Sequence, residues 1–290
     1  MDIQSKSLKT KIACARNAIG TPETAREAMD CMDATSLSGA EHKSDIQKLT
    51  SNAMCNNLAS VCIYPEHVAT ANAVKKAKKN NSLRVATVID FPHGNKQTGS
   101  ENEATTETVA QDVTKAIANG ATQIDIVFPY EEFLSQSKGE GMAQELLSTC
   151  REACGDDATM KVILETAAFN TESKLREACK ISIAAGADCL KTSTGKHPNG
   201  GATLETAAIL MDEANKSKRD IGVKISGGVQ NNNDCAQYIA LARSVFGWDS
   251  IRPEKFRIGA SASKLLPDLL SSLDPNYDAP DNGHSNDPEY

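Results

Sequence analysis

The stretch MKVILETAAFNTESKLREACKISIAAGADCLKTST, residues 160–194, contains one complete strand–helix–strand unit. MKVILET (160–166) and DCLKTST (188–194) have the composition of buried strands, and ESKLREACKISIAAG (172–186) has the apolar spacing of a helix. A left-handed C-cap is expected at Gly186, where the helical pattern ends. The unit predicts two parallel strands joined by a right-handed crossover.

The same alternation runs along most of the chain. Six further segments are predicted strands: CMDATSL (31–37), ASVCIYP (59–65), LRVATVIDF (83–91), TQIDIVFP (122–129), IGVKISG (221–227) and FRIGAS (256–261). Helical spacing lies between them in EHVATANAVKKAKKN (66–80) and in ATTETVAQDVTKAIANG (104–120), which ends at Gly120. Eight strands in 290 residues predict an α/β fold, a single (β/α)8 TIM barrel. A doubly wound open sheet is the alternative, weakened because no G-x-G-x-x-G follows the first strand.

Composition at the two ends predicts the domain organisation. Residues 1–28 form a helical lead-in, and residues 29–273 form the barrel. The last segment, DPNYDAPDNGHSNDPEY (274–290), is acidic and nearly free of apolar residues, so a flexible tail is expected.

Charge and cysteine content exclude several classes of protein. A net charge of −7 argues against nucleic acid as a partner, because phosphate binding over a long footprint needs a basic face. Nine cysteines with no Cys-x-x-Cys pair favour a reducing cytoplasm without structural disulfides. The first residues lack an apolar signal core, and no stretch approaches the ~20 apolar residues of a membrane span. A cytoplasmic protein without a membrane partner is expected.

Lys191 in DCLKTST stands where a buried strand favours Val or Ile. It could be an exposed strand residue, or its amine could simply pair with a carboxylate. Strand seven also carries a lysine mid-strand, Lys224, and strands four and five contribute Asp125 and Lys161. Active sites of such barrels lie at the C-terminal ends of the strands, so these side chains are expected to share one pocket.

Two neighbouring lysines in one pocket favour amine catalysis. A lysine with its ordinary pKa near ~10.4 is protonated at neutral pH. Burial and a nearby positive charge both lower the pKa of Lys191, and the free amine can then form a Schiff base with a carbonyl. The iminium is an electron sink, so a C–C bond two atoms away can break while Asp125 moves protons.

Glycine turns after strands seven and eight predict a phosphate site. These are SGGV (226–229) and GASAS (259–263), the second of which leads into the helical segment SKLLPDLLSSL. Loops at these two positions, with a helix N-terminus, often bind phosphate in barrels. Lys196 in TSTGK is a further phosphate candidate. The five histidines are scattered without metal-ligand spacing, so neither a metal nor another cofactor is expected.

The chain also resembles the deoxyribose-phosphate aldolases, a family of class I (Schiff-base) lyases. The resemblance runs from MDATSL through VCIYPEHV, RVATVIDFPHGN, GATQIDIVFPY, KVILET, AGADCLKTSTGK and VKISGGV to GAS at 261. It implies reversible cleavage of 2-deoxy-D-ribose 5-phosphate to acetaldehyde and D-glyceraldehyde 3-phosphate, in deoxyribonucleotide catabolism, by a homodimer.

The resemblance also implies roles for individual residues. Lys191 matches the Schiff-base lysine, Lys224 the second lysine that lowers its pKa, and Asp125 the acid that relays protons. The implied substrate-binding positions are Asp33, Thr35, Cys62, Lys161, Thr194, Lys196, Gly227, Gly228, Gly259 and Ser261. Tyr290 matches a tail tyrosine that helps protonate the enamine in some members; a solvated tail residue is the alternative.

The sequence departs from the family pattern in three places, one of which is the segment after TSTGK with His197-Pro198 and Gly200-Gly201. AAFN follows KVILET where the family usually has Gly and an acid, and Ala262 takes a position often held by serine. Two other functions therefore stay open at this stage: a Schiff-base aldolase for a different sugar phosphate, and a catalytically silent barrel that binds a phosphorylated metabolite.

Overall fold

The predicted strands close into a barrel. The computed structural model describes residues 1–94, 105–135 and 139–277. In these ranges eight parallel strands pair in chain order, and the last pairs with the first. The (β/α)8 barrel is confirmed, and the open doubly wound sheet is wrong. The strands are β1 (Met32–Thr35), β2 (Ser60–Ile63), β3 (Arg84–Ile89), β4 (Gln123–Val127), β5 (Thr159–Ile163), β6 (Cys189–Lys191), β7 (Gly222–Ser226) and β8 (Phe256–Ser261).

Helices surround the barrel. They are α1 (Lys6–Ala15), α2 (Pro22–Asp30), α3 (Lys43–Cys55), α4 (Val68–Ala77), α5 (Thr106–Ala118), α6 (Tyr130–Ser135), α7 (Gly139–Cys154), α8 (Glu172–Ala184), α9 (Leu204–Lys216), α10 (Asn232–Phe246) and α11 (Ala262–Leu273). The first two precede β1, and α2 packs against α10 and α11. No helix in the described ranges is long and apolar enough to cross a membrane. The predicted tail lies mostly outside the described residues, and so does Tyr290.

Helix α8 shows how the sequence sets the ends of one element. The Thr171 side chain caps its first turn by accepting a hydrogen bond from the Lys174 N–H. Its apolar face, which includes Leu175, is buried in the core between helices and barrel. The chain leaves the helix through Gly186, whose φ of +100° confirms the predicted left-handed residue, as does +97° at Gly120.

Strand β6 is shorter than predicted, because a side chain replaces its backbone pairing. The Thr192 hydroxyl donates to the Ser226 carbonyl at 3.0 Å and accepts from the Ser226 N–H at 2.9 Å. A hydroxyl that takes the place of ladder hydrogen bonds ends regular pairing. Lys191 is therefore the last residue of β6. Its predicted mid-strand position is wrong, and it lies at the C-terminal rim instead.

The parallel register brings charged residues side by side in the barrel interior. Asp125 pairs with Lys161, Lys191 with Lys224, and Lys224 with Arg257. Side chains alternate across a strand, and the residues flanking Lys224 in β7 join the hydrophobic core. Charged side chains and apolar ones therefore occupy opposite faces of the same strands.

Candidate active site

Asp125 is the centre of a buried cluster of lysines. Its Oδ1 accepts from Lys161 Nζ at 2.8 Å, and its Oδ2 accepts from Lys224 Nζ at 2.8 Å and from Lys191 Nζ at 3.2 Å. Lys191, Lys224 and Asp125 are each 0% exposed. Lys191 is thus not an exposed strand residue, and it does pair with a carboxylate, in company with two other lysines.

A second carboxylate, Asp33 on β1, extends the cluster. Its Oδ2 lies 2.7 Å from Lys224 Nζ and 4.0 Å from Lys161 Nζ, and its Oδ1 lies 2.5 Å from Arg257 Nη2. The same Arg257 nitrogen donates to Gln123 Oε1 at 3.0 Å. Lys224 therefore sits between two carboxylates, whereas Lys191 shares one carboxylate oxygen with Lys224.

Basic side chains outnumber acidic ones in the cluster, and they determine the pKa values of the two carboxylates. Burial alone would raise the pKa of Asp125, but the three lysines hold it well below its usual range. Burial also opposes ionisation of Asp33, and Arg257 with two of the lysines overcomes it, so the pKa of Asp33 is lowered. Both carboxylates are therefore anions at neutral pH, and four basic side chains surround them.

This arrangement disfavours the protonated form of Lys191. Burial lowers the pKa of Lys191, and the positive charge of Lys224 lowers it further; Asp125 acts in the opposite direction. A lowered pKa increases the share of the free amine, which is the nucleophilic form. Burial and a neighbouring positive charge are the two causes from which the sequence predicted a lowered pKa for Lys191.

Two further predicted residues border the cluster. The Cys62 thiol points its Sγ toward Asp125 Oδ2, 3.9 Å away, and burial raises the pKa of this thiol. The Thr35 hydroxyl donates to the Asp33 carbonyl oxygen at 2.9 Å. Both side chains are buried on the first two strands, on the side of the cluster formed by β1 and β2.

Gly259 makes room for Lys224. A Cβ at residue 259 would lie 2.6 Å from Lys224 Cε and 3.3 Å from Ser226 Cβ. Real Cβ atoms do not approach other atoms so closely, so any side chain here would displace the lysine. The resemblance implied a substrate-binding role for Gly259. Its position indicates that the absence of a side chain at residue 259 leaves room for Lys224.

The segment after Lys191 is held by a buried acid. Glu165 accepts from the Thr194 N–H at 3.1 Å and from the Thr194 hydroxyl. Thr194 Oγ1 in turn accepts from the Lys196 N–H at 3.0 Å. The backbone of Glu165 is left-handed, with φ +53°, and burial raises the pKa of its carboxyl against the hydrogen bonds from Thr194.

The turn after β7 packs against the loop after β6. Gly227 and Gly228 have φ of +83° and +89°, a region that favours glycine. The Gly227 carbonyl accepts from the Ala202 N–H at 3.0 Å, and a Cβ on Gly201 would lie 2.4 Å from that carbonyl oxygen. Gly228 borders open space, and a Cβ there would meet no atom within 4 Å.

Ser261 ends β8 and precedes the first turn of α11. Its hydroxyl lies 2.8 Å from the Ser263 hydroxyl and does not cap the helix. Ala262 is the first residue of α11. A helix of this length presents free N–H groups at its start, which suits an anion.

The comparisons with known proteins agree with this geometry. The sequence model of the family described as "DeoC/LacD family aldolase" matches residues 26–247. The chain belongs to this family.

Solved structures share the fold of this DeoC/LacD aldolase. A candidate deoxyribose-phosphate aldolase from Toxoplasma gondii has a TM-score of 0.78 at 22% identity, over 88% of this chain and 95% of that one. A candidate deoxyribose-phosphate aldolase from Coccidioides immitis has a TM-score of 0.72 at 24% identity, over 93% and 98%. The deoxyribose phosphate aldolase from Aeropyrum pernix, described as a unique tetramer, has a TM-score of 0.70 at 22% identity, over 92% and 98%.

Two residues of this aldolase's site were missed in the sequence. Arg257 lies in FRIGAS, a charge inside an apolar strand, which is the same signal that singled out the lysines. Glu165 lies in KVILET, near the end of a predicted strand, where no signal distinguished its acid from an ordinary strand-end residue. In the described ranges no group of three His, Cys, Asp or Glu side chains is arranged to hold a metal ion. The nine cysteines are free thiols.

Proposed function

We propose that this DeoC/LacD aldolase reversibly cleaves 2-deoxy-D-ribose 5-phosphate to acetaldehyde and D-glyceraldehyde 3-phosphate through a Schiff base on Lys191. The observation that carries the proposal is the contact of Lys191 and Lys224 with one oxygen of Asp125, at 3.2 and 2.8 Å, in a fully buried site. An amine of lowered pKa beside a cation and a carboxylate that can relay protons is what iminium chemistry needs.

The first step joins Lys191 to the open-chain sugar. Its neutral Nζ attacks the aldehyde carbon, C1, and loss of water from the carbinolamine gives an iminium. Asp125 contacts Lys191 and Lys224, so a proton of the Lys224 ammonium passes through Asp125 to the carbinolamine hydroxyl, which leaves as water. Burial and the positive charge of Lys224 lower the pKa of Lys191, which favours the free amine before the attack.

The iminium then accepts the electrons of the breaking bond. The C3 hydroxyl loses its proton, the C2–C3 bond breaks, and its electron pair forms the C1–C2 double bond of an enamine. Glyceraldehyde 3-phosphate leaves. Asp125 takes the proton from the C3 hydroxyl and returns it to C2 of the enamine, and hydrolysis of the resulting iminium releases acetaldehyde and the free Lys191 amine.

The phosphate of the substrate is assigned to the glycine turns. Gly228 borders open space after β7, Ser261 stands at the start of α11, and Lys196 follows the segment held by Glu165. Backbone N–H groups at such turns and at a helix N-terminus bind phosphate oxygens.

Reductive trapping tests the reaction class and the nucleophile together. The protein is incubated with acetaldehyde and sodium borohydride, and the modified peptide is located by mass spectrometry. We expect an N-ethyl group on Lys191 and loss of cleavage activity in proportion to labelling. Folded protein that carries no adduct on Lys191 would contradict the proposal.

Substrate identity needs a separate panel. Glyceraldehyde 3-phosphate is detected by a coupled assay after addition of 2-deoxyribose 5-phosphate and of other sugar phosphates. Faster cleavage of another sugar phosphate would support a different aldolase, and binding without turnover would support a silent barrel. A cytoplasmic location and a homodimer stay predictions; ultracentrifugation at micromolar concentrations tests the dimer.

A further inference from the structure

We infer that Arg257 is a positioning residue for the nucleophile: by holding Asp33 it keeps Lys224 on Asp125, beside Lys191. The inference rests on the proposed function, because it concerns the reactivity of the Schiff-base lysine. Arg257 belongs to β8, and it reaches Lys191 through a chain of ion pairs instead of by direct contact.

The chain of contacts is short and buried. Arg257 Nη2 lies 2.5 Å from Asp33 Oδ1, and Asp33 Oδ2 lies 2.7 Å from Lys224 Nζ. Lys224 Nζ lies 2.8 Å from Asp125 Oδ2, the oxygen that Lys191 Nζ contacts at 3.2 Å. Arg257 is 2% exposed, so solvent does not screen these charges effectively.

Removal of Arg257 has two consequences that act in the same direction. Asp33 would draw more strongly on its remaining cations, Lys224 at 2.7 Å and Lys161 at 4.0 Å, and would pull Lys224 away from Asp125. The cluster would also lose one positive charge. Both changes make a cationic Lys191 less costly, so its amine would become free at a higher pH.

The effect of Arg257 on the reactivity of Lys191 adds to the effects of the other charged and titratable groups in the cluster. The titratable or charged groups of the cluster that includes Lys191 come from seven strands or strand ends. They are Asp33 on β1, Cys62 on β2, Asp125 on β4, Lys161 and Glu165 on and after β5, Cys189 on β6, Lys224 on β7 and Arg257 on β8.

The experiment follows the pH at which Lys191 becomes reactive. Acetaldehyde and sodium cyanoborohydride are added to the whole protein over a series of pH values, and the rate of N-ethylation at Lys191 is measured by mass spectrometry. Arg257→Gln should move the midpoint of the profile upward by roughly one pH unit. Asp33→Asn, which leaves Arg257 without its anion, should move the midpoint downward.

The double variant Asp33→Asn, Arg257→Gln replaces the ion pair by two amides of similar size. Because it removes one charge of each sign, its midpoint should return toward that of the unmodified protein. Arg257→Lys, which keeps the charge, should shift the midpoint less than Arg257→Gln. Arg176→Gln serves as the control, since it removes an ion-paired arginine between α8 and α9 and should leave the profile unchanged.

The outcomes separate the two proposals. Absence of an adduct in the unmodified protein at every pH would contradict the proposed function. An adduct whose midpoint is the same in Arg257→Gln and the unmodified protein would overturn the inference alone. If Arg257→Gln does not fold, Arg257→Met decides: its midpoint must lie above that of the unmodified protein, and an equal midpoint would overturn the inference.

Discussion

Two clusters of ion-paired side chains differ in which charge is in the majority. In the cluster between α8 and α9, Arg176 contacts Glu172 at 2.7 Å, Asp212 at 2.6 Å and Glu213. Lys216 lies 2.6 Å from Asp212. Here carboxylates outnumber cations. In the barrel cluster the basic side chains, three lysines and Arg257, outnumber Asp33 and Asp125.

The pKa values of basic side chains shift in opposite directions in the two clusters. Partial burial opposes the charge on Arg176, but the hydrogen bonds that Arg176 donates to its carboxylate partners raise its pKa. The pKa of Lys216 is raised for the same reason, again against partial burial. Burial and Lys224 lower the pKa of Lys191 instead. A nearby carboxylate therefore does not by itself raise the pKa of a lysine. The number and sign of the nearby charges and the exclusion of water determine the direction of the shift.

The largest expected effect follows from removal of the nucleophile. Lys191→Ala should lower kcat for cleavage of 2-deoxyribose 5-phosphate by on the order of 10⁴-fold or more, because no covalent intermediate can form. The coupled assay for glyceraldehyde 3-phosphate measures the loss. Lys216→Ala is the matched control and should retain full activity. Substantial activity in Lys191→Ala would move the Schiff base to another residue.

Lys224→Leu should have the next largest effect. It removes the cation that keeps Lys191 neutral, so kcat should fall by about 10²- to 10³-fold and the pH–rate profile should shift upward. The profile of kcat/KM between pH 6 and 10 measures both changes. An unchanged profile in a variant of lowered kcat would mean that Lys224 acts on the substrate and not on Lys191.

A smaller effect is expected at the proposed phosphate end. Gly201→Ala would place a Cβ 2.4 Å from the Gly227 carbonyl oxygen, so the turn after β7 must move. KM for 2-deoxyribose 5-phosphate should rise by about 10-fold. The rate with unphosphorylated 2-deoxyribose should change little, which separates a phosphate effect from a general defect.

The control for Gly201→Ala is Gly141→Ala in α7, where a Cβ meets no atom within 4 Å. That variant should leave KM unchanged for either substrate. Equal losses with both substrates in Gly201→Ala would contradict a phosphate role for the turn.

The sequence was sufficient for some parts of the site and insufficient for others. Lys191, Lys224 and Asp125 interrupt apolar strands, and the barrel topology brings such residues to a shared interior, so their meeting was predictable. The link between Asp33 and Arg257 depends on how the first strand pairs with the last, which no local pattern encodes. Contacts across strands, such as the place of Lys224 beside a glycine of β8, are invisible for the same reason.

The two clusters should also differ in how they couple to stability. The folded-state pKa of Lys191 lies below its ordinary value of 10.5, so the unfolded chain binds the extra proton between these two values. Lys191 therefore makes the free energy of unfolding rise with pH in that window, by at most about 1.4 kcal/mol per pH unit. Lys191→Met should flatten this rise, measured by urea unfolding from pH 6 to 10. A slope equal to that of the unmodified protein would show that Lys191 does not titrate in that range.

Lys216→Met should show the opposite sign and the smallest effect. The folded-state pKa of Lys216 lies above 10.5, so its ion pairs stabilise the fold at lower pH and are lost as the pH rises through that folded-state pKa. Its side chain is 58% exposed, so solvent screens the pairs and the loss at pH 8 should be about 0.5 kcal/mol. The difference from the unmodified protein should shrink as the pH rises beyond 10.5, in urea unfolding at pH 8 and 11.5. A difference that grows with pH would show that carboxylates do not control Lys216, and the contrast between the two clusters would then rest on burial alone.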